Sequence, residues 1–398
     1  MALAAHIIHQ RTRSLAEAPG TQAGGPGHHA TARPASIRTA SARHWLMGPR
    51  ERILAALDGE EPDRVPRALS FYHVDFARVV PPGLVLGGEP VDVQFVEFPV
   101  TREERELAHR ALPFEADTRL GRPDQVEAYD RWCYSPAQPD RRNPLARATS
   151  LRDLERFPFP EPGRSNAVRD LTRQVRRLRA RGLAVGGNLP HLGGELFEAA
   201  WRLRGLERFL MDLVERPDWA DFLLDRLTAL AVHNARCLAQ ADVDLLALDD
   251  DVGMPGAMII GPGTWRRFFK PRMAEVIASA RAVKPGLRVL YHSDGWFEPI
   301  LADLLEIGAN AINPVQPEHM DAARIRRRFG RRLALWGTVG RQTSFASAAP
   351  EAIRSEVRER VQTVGRAGLI LCPAYDIDEP DIPPENVAAF LEAAAAFG

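Results

Sequence analysis

Two short stretches decide the fold of this chain: VDLLALDDD at residues 243–251 and LRVLYHSDG at residues 287–295. In each, an apolar run of strand length ends in polar residues, and a segment of helical periodicity follows. Four more runs have the same plan: LAVGGN, NAINPVQ, LALWGTV and LILCPAY, which begin at residues 183, 310, 333 and 369. Apolar strands that alternate with helices predict a parallel α/β sheet.

The polar ends of these runs favour a closed (β/α)8 barrel, the TIM barrel. In that fold the carboxyl ends of all strands meet at one mouth, where active sites are built. No GxGxxG motif follows the first run, so an open dinucleotide-binding sheet loses its best support. Among the residues at these ends, we expect Asn188, Asn313 and Gln316 to bind substrate.

The sequence divides near residue 45. Residues 1–44 contain one acid, Glu17, and no sustained apolar period, which predicts a disordered extension. Met47 directly precedes the first amphipathic helical pattern and is an alternative start of translation. Residues 45–398 form the predicted barrel domain. Between residues 60 and 160 the chain is rich in proline, and we expect loops and short helices there, with one strand near Val65 to Phe71.

The amino-acid composition limits the kinds of binding partner and the cellular setting that we expect. The chain has 52 Lys and Arg against 52 Asp and Glu, so no net field would draw it to nucleic acid or to an anionic membrane. No apolar run reaches the roughly 18 residues that span a bilayer. The 3 cysteines lie far apart, which predicts a protein of the reducing cytoplasm without a disulfide framework. We expect a small-molecule substrate, and a homodimer is compatible with the sequence.

Three consecutive carboxylates, Asp249 to Asp251, would repel one another at a strand end unless some are solvated, paired, protonated or bound to a metal. We therefore expect Asp250 to take part in catalysis and Asp251 to bind substrate or metal. The alternative interpretation is a turn in which these residues cap the next helix.

His292 and Asp294 stand two residues apart, so strand alternation puts both side chains on the cavity face. Such a pair can orient an imidazole for acid/base work or bind a metal. A histidine that is satisfied by a helix-capping aspartate is the structural alternative. Cys372 ends the last run and is a candidate third metal ligand, although a single cysteine there is usually a small buried apolar residue.

Four stretches, in this order, resemble the uroporphyrinogen decarboxylase superfamily from about Arg50 to the C terminus. They are RERILAALDGEEPDRVP (50–66), LDDDVGMPGAMIIGPGTWRRFFKPRM (248–273), YHSDGWFEPILADLLEIGANAINPVQPEHMD (291–321) and DIPPENVAAFLEA (381–393). The resemblance implies a TIM barrel, in agreement with the alternation above. It also implies either a heme-pathway decarboxylase or a zinc-dependent methyltransferase that exchanges methyl groups with a corrinoid protein.

The true decarboxylases have an arginine-rich RQAGRY-like segment after the first strand, which grips the carboxylates of the substrate. This chain has ALSFYHVDFARVV at residues 68–80, without the arginine pair. The decarboxylases also have an LGHGI-like motif after the last strand, where this chain has CPAYDI and places Tyr375. The resemblance is therefore closer to the methyltransferases.

The zinc methyltransferases of the superfamily have an HxCG motif at a strand end and a second cysteine after the last strand. Here His292 matches, Asp294 replaces the first cysteine, and Tyr375 roughly replaces the second. Zinc accepts an aspartate oxygen beside a histidine nitrogen. The resemblance thus implies a zinc site that is harder and weaker than a thiolate site.

Our preferred interpretation is a methyltransferase-like enzyme, in which His292 and Asp294 are metal ligands or an acid/base pair. Tyr375 would donate a hydrogen bond to developing negative charge. The first alternative is a decarboxylase of a porphyrinogen or another carboxylate, with Arg341 as a carboxylate clamp. The second alternative is a barrel that has lost catalysis and only binds a partner. The polar cluster at almost every strand end favours an enzyme.

Overall fold

A computed structural model describes the fold, which lies within one compact unit, Met47–Gly398. The residues that the structure describes are 46–84, 86, 88–99, 143–160, 167–190, 194–340, 345, 348–374, 377 and 382–398.

The core of the fold is a seven-stranded sheet in which every strand pairs in parallel with its neighbours, in the order in which these strands occur along the chain. Its strands are β1 (Val93–Val96), β2 (Ala184–Asn188), β3 (Leu245–Asp249), β6 (Arg288–His292), β7 (Ala311–Asn313), β8 (Ala334–Trp336) and β9 (Leu369–Ile370). A separate antiparallel hairpin, β4 (Gly253–Met254) and β5 (Ala257–Met258), follows β3. All six apolar runs contain a strand, so the predicted parallel α/β sheet is confirmed.

The two edges of this sheet are joined by the segment 66–68. The Ala68 N–H donates to the Leu371 carbonyl at 2.8 Å, and the Leu371 N–H donates to the Pro66 carbonyl at 2.9 Å. On the other side, the Asp92 N–H donates to the Arg67 carbonyl at 2.8 Å. The segment therefore lies between β9 and the start of β1, and the sheet curls on itself.

Most of the helices follow strands of the sheet and cover its outside. Pro217 and Pro350 stand at the first positions of two of them, where the missing N–H costs nothing, and the Asp321 side chain accepts from the Arg324 N–H as an N-cap. The helices are α1 (Pro49–Leu57), α2 (Phe76–Val79), α3 (Leu151–Glu155), α4 (Ala167–Ala180), α5 (Phe197–Arg204), α6 (Leu206–Glu215), α7 (Pro217–Gln240), α8 (Pro262–Phe268), α9 (Lys270–Val283), α10 (Leu301–Ile307), α11 (Ala322–Phe329), α12 (Pro350–Val364) and α13 (Pro384–Phe397). Two 3-10 turns, Glu298–Ile300 and Gly330–Arg332, precede α10 and β8.

Apolar side chains form two cores, one inside the curled sheet and one between the sheet and the helices. The inner core contains Ala247 of β3, Leu290 of β6 and Trp336 of β8. Ile53 and Leu57 of α1 belong to the same inner cluster. Since side chains alternate along a strand, the inner-core residues identify which strand-end residues face the interior.

The proline-rich region departs from the prediction in two ways. Residues 93–96 form β1, a regular buried strand, where sequence analysis expected loops and short helices. The strand expected near Val65 to Phe71 is reduced to a single parallel bridge between Arg67 and Leu371. In the described part of the chain, no helix has the length and apolar character needed to cross a membrane.

We expect Gly186→Ala to destabilise the protein by about 1–3 kcal/mol, because overpacking a filled core forces side chains and backbone to shift. A Cβ at Gly186 would lie 2.3 Å from Cε1 of Phe95, which is buried in the inner core. Urea unfolding measures the loss. Gly263→Ala is the control, since a Cβ there meets nothing within 4 Å. Equal stability of both variants would contradict a tightly packed interior at β2.

Candidate active site at the carboxyl ends of the strands

Three polar residues extend the inner face of adjacent strands at their carboxyl ends. Ala247, Leu290 and Ala311 belong to the inner core. Two residues further along these strands come Asp249, His292 and Asn313. The sheet register pairs Asp249 with His292 and His292 with Asn313. The three side chains therefore lie in one layer above the apolar interior.

The imidazole of His292 is held on two sides. Its Nδ1 lies 2.6 Å from Oδ1 of Asn313, whose Nδ2 donates to the Trp336 carbonyl at 3.3 Å. Because that second bond turns the amide oxygen toward the ring, Nδ1 carries the proton and Nε2 keeps its lone pair. Phe71 stacks on the ring at a centroid distance of 3.8 Å and an angle of 10°.

Two carboxylates face the free ring nitrogen. His292 Nε2 lies 3.8 Å from Oδ1 of Asp249 and 3.7 Å from Oδ1 of Asp251. One ligand atom from each of the three residues lies within 4.8 Å of the others. Burial lowers the pKa of His292, and the charge of Asp251 opposes this shift. A neutral imidazole beside two carboxylates is a donor set that suits a divalent metal ion.

The loops after β3 and β6 are bonded to each other. The Asp294 N–H donates to Oδ1 of Asp251 at 2.6 Å. Ser293 Oγ accepts from the N–H groups of Val252 and Gly253, at 3.0 and 3.2 Å. A Cβ at Gly253 would lie 2.1 Å from the Asp294 carbonyl oxygen, so the two backbones meet where only glycine fits.

Gln316 connects the loop after β7 to the same place. Its Nε2 donates to Oδ1 of Asp294 at 3.2 Å, and its Oε1 accepts from the Gly295 N–H at 2.7 Å. Gln316 therefore orients Asp294, and the sequence-predicted pair of His292 and Asp294 does line one small pocket. Asp294 is not a member of the three-residue cluster around His292 Nε2.

Asp250 lies on the other side of the strand end. Its carboxylate accepts from the Phe197 N–H at 2.9 Å and the Glu198 N–H at 3.1 Å, at the N-terminus of α5. Burial raises the pKa of Asp250 to about 7, and these backbone hydrogen bonds oppose the shift. The structure thus separates Asp250 from Asp249 and Asp251, and its predicted catalytic role stays a prediction.

Two glutamates that sequence analysis missed lie behind the cluster. Glu195 Oε2 accepts from the Asp249 N–H at 2.6 Å, and the Glu195 N–H donates to the Asp249 carbonyl at 2.9 Å. Burial raises the pKa of Glu195 well above its ordinary value. Burial also raises the pKa of Glu198 to about 8, helped by the charge of Asp251 and opposed by Arg202. Their signal in the sequence was the pair of acids in GELFE, soon after the first of the six runs.

The remaining predicted site residues fall in three places. Cys372 is buried and lines the pocket with His292 and Asp294. Asn188 extends the inner face of β2, and both of its amide atoms are buried without a hydrogen-bond partner in the described part of the chain. Tyr375 and Arg341 lie outside the described residues.

Comparison with known proteins places this site in a family. Residues 137–397 match the family model described as uroporphyrinogen decarboxylase (URO-D), which is more than half of the chain. The chain belongs to the uroporphyrinogen decarboxylase family. This confirms the resemblance found in the sequence.

Relatives in this family carry two different activities in their names. The methylcobamide:CoM methyltransferase MtaA of Methanosarcina barkeri is 26% identical over 212 residues, covering 52% of this chain and 59% of that protein. The uroporphyrinogen decarboxylase of Pseudomonas fluorescens is 24% identical over 262 residues, covering 62% of this chain and 68% of that protein. The match thus spans less than two thirds of the methyltransferase.

A solved structure of a methyltransferase from Methanosarcina mazei has the same fold. It superposes with a TM-score of 0.60 and 20% sequence identity, covering 88% of this chain and 99% of that one. Identity at this level shows the fold alone. This similarity agrees with the curled α/β sheet, and it does not identify the reaction, which depends on the residues of the site.

We expect Asp250→Asn to lower the free energy of unfolding by about 1–3 kcal/mol, because an amide NH2 would face a backbone N–H that the carboxylate now satisfies. Guanidinium unfolding of both proteins at one pH measures the change. Asp321→Asn is a matched control, since asparagine caps an exposed helix about as well as aspartate. Unchanged stability of Asp250→Asn would contradict the structural role of this carboxylate.

Stability should also depend on Glu198. Its pKa in the folded protein, about 8, lies above the ordinary value of 4.5, so folding binds the proton more tightly. This contribution is fully present below pH 4.5 and is lost as the pH rises through 8. Urea midpoints across this window should therefore fall less steeply for Glu198→Gln than for the wild type. The exposed Glu359→Gln serves as control, and an identical slope in all three proteins would contradict the shift.

Proposed function

We propose that this protein is a methyltransferase-type enzyme of the URO-D family that acts on a small molecule at the mouth of a (β/α)8 barrel, with segment 66–68 as the eighth position. The observation that carries the proposal is His292. Its Nε2 is directed at acidic residues at a strand end, at the position where the methyltransferases of the superfamily have the histidine of HxCG. A divalent ion, with zinc as the first candidate, fits this donor set.

Each residue of the site would have a limited task. Asn313 and Phe71 hold the His292 ring in place, so Nε2 is already oriented before a metal ion binds. Gln316 orients Asp294 at the rim of the pocket. The amide of Asn188, buried and unpaired among the described residues, is available to a polar group of the substrate. A bound metal ion would lower the pKa of a methyl acceptor and so make it a better nucleophile.

The charge at the site supports methyl transfer over decarboxylation of a porphyrinogen. Asp249, Asp251 and Asp294 lie at the strand ends around His292. A substrate with several carboxylates would meet charge of its own sign. A neutral or cationic small molecule would not. Since MtaA is named for methyl transfer from a methylcobamide, we propose a corrinoid, free or on a partner protein, as the other reactant.

The test is demethylation of methylcobalamin by the purified protein in the presence of a panel of small thiols and alcohols, followed by the absorbance of the corrinoid. We expect turnover by the wild type and a loss of about 100-fold or more for His292→Ala, which corresponds to about 2.7 kcal/mol of transition-state stabilisation. Glu351→Gln, an exposed change at a residue that neither lines the pocket nor belongs to the three-residue cluster, should keep full activity.

The competing outcome has its own measurement. Conversion of uroporphyrinogen to coproporphyrinogen, detected by mass spectrometry and lost in His292→Ala, would replace the proposal with decarboxylation. Absence of demethylation across the whole panel would count against methyl transfer.

A further inference from the structure

Three side chains converge on one point at the end of β3 and β6, and they are not the ligand set that the HxCG motif implies. That motif points to His292 and Asp294. The structure instead brings His292 Nε2 to 3.8 Å from Asp249 and 3.7 Å from Asp251. Asp249 has no counterpart in the motif, because it is contributed by the neighbouring strand.

The spacing of these atoms is close to what one ion requires. Nitrogen and oxygen ligands bind zinc at about 2.0–2.2 Å, so two ligands of a tetrahedral ion lie about 3.3–3.5 Å apart. The two distances from Nε2 exceed this by a few tenths of an ångström, and all three ligand atoms lie within 4.8 Å of one another.

We propose that Asp249, Asp251 and His292 form a divalent-cation site in which two carboxylates from the end of β3 do the work of the thiolates of the family's methyltransferases, from different positions in the fold. The chemical use of the ion rests on the proposed function, but its binding does not. One imidazole with two carboxylates favours a first-row divalent ion, such as Zn²⁺, Co²⁺ or Mn²⁺, over soft ions that need sulfur.

Each ligand is held by a contact of its own. Glu195 bonds both the N–H and the carbonyl of Asp249, which fixes the backbone from which that side chain leaves. The Asp294 N–H donates to Asp251 Oδ1 at 2.6 Å. Asn313 fixes the His292 tautomer. Supporting contacts of this kind are typical of metal sites, where they orient the ligands before the ion binds.

Asp294 and Cys372 have other positions. The Oδ1 atom of Asp294 accepts from Gln316, and only its backbone N–H, which Asp294→Asn retains, donates to the proposed ligand Asp251. Cys372 follows β9, which is separated from β6 by β7 and β8 in the sheet. Both residues line the pocket beside His292 without joining the three-residue cluster.

Cobalt titration of the metal-free full chain tests the ligand set without any substrate. Bound Co²⁺ shows visible d–d absorption, and a thiolate ligand adds a sulfur-to-cobalt charge-transfer band. We expect one Co²⁺ per chain, d–d bands and no charge-transfer band. Asp249→Asn, Asp251→Asn and His292→Ala should each weaken binding by about tenfold or more, while the controls Asp294→Asn and Cys372→Ser stay within about threefold.

Three results would overturn the proposal. One is a charge-transfer band that disappears in Cys372→Ser. Another is a loss in Asp294→Asn as large as that in Asp249→Asn. The third is absence of stoichiometric Co²⁺ binding to the folded wild type. Circular dichroism and melting temperature of each variant establish that it folds. If Asp249→Asn does not fold, Asp251→Asn decides, since its side chain lies in the more exposed loop.

Failure of methyl transfer leaves this measurement intact, because cobalt binding is read without turnover. The opposite result is also distinguishable. If His292→Ala abolishes methyl transfer while Asp249→Asn and Asp251→Asn leave cobalt binding unchanged, the proposed function stands and the ligand set is rejected.

Discussion

The parallel pairing of β3 with β6, which sets Asp249 beside His292, is the constraint on which the site depends. Ala247 and Leu290, two residues earlier, lie in the apolar interior, so alternation carries Asp249 and His292 onto the same inner face. A shift of one residue in the register of this pairing would direct a polar side chain toward the helices and an apolar neighbour toward the site. The apolar residues inside the curled sheet therefore enforce the geometry of the polar layer above them.

The strands that carry this layer were predictable because their runs contain short apolar stretches, such as LLAL in β3, VLY in β6 and LALW in the run of β8, as expected for strands buried on both faces. The run at 287–295 and its five companions all contain strands. The first strand was not predictable in the same way, because VQFV at Val93–Val96 is short and carries Gln94 in its middle. Segment 66–68 forms a bridge at Arg67 alone, and the Arg67 N–H donates to the Asp92 carboxylate. Pro66 precedes Arg67, and the sequence around it has no strand pattern.

Within the site, it was easier to predict which residues lie at the strand ends than which way their side chains point. The sequence placed Asp249 to Asp251 at the mouth as a group. Counting by two from Leu245 and Ala247 separates Asp249 and Asp251 from Asp250, and the sequence contains that signal. The contact of Glu195 with the Asp249 backbone could not be derived in this way, because it depends on the tertiary structure. A Cβ at Gly194 would lie 2.8 Å from the Asp249 carbonyl oxygen, so this segment presses against the strand end as only glycine allows.

The fold concentrates acidic groups that the unfolded chain would keep apart, and it treats the two sides of the strand end differently. On the helix side, the Asp250 carboxylate is met by backbone N–H groups at the start of α5, and burial favours the protonated form of Glu198. On the mouth side, Asp249 and Asp251 face an imidazole that burial keeps neutral. Negative potential is thus damped where the helices pack and maintained where a ligand enters. Any cation that binds the folded protein at the mouth relieves this repulsion and stabilises the native state by mass action. Relief of the repulsion between these carboxylates is therefore one contribution to the affinity of the site for a metal ion.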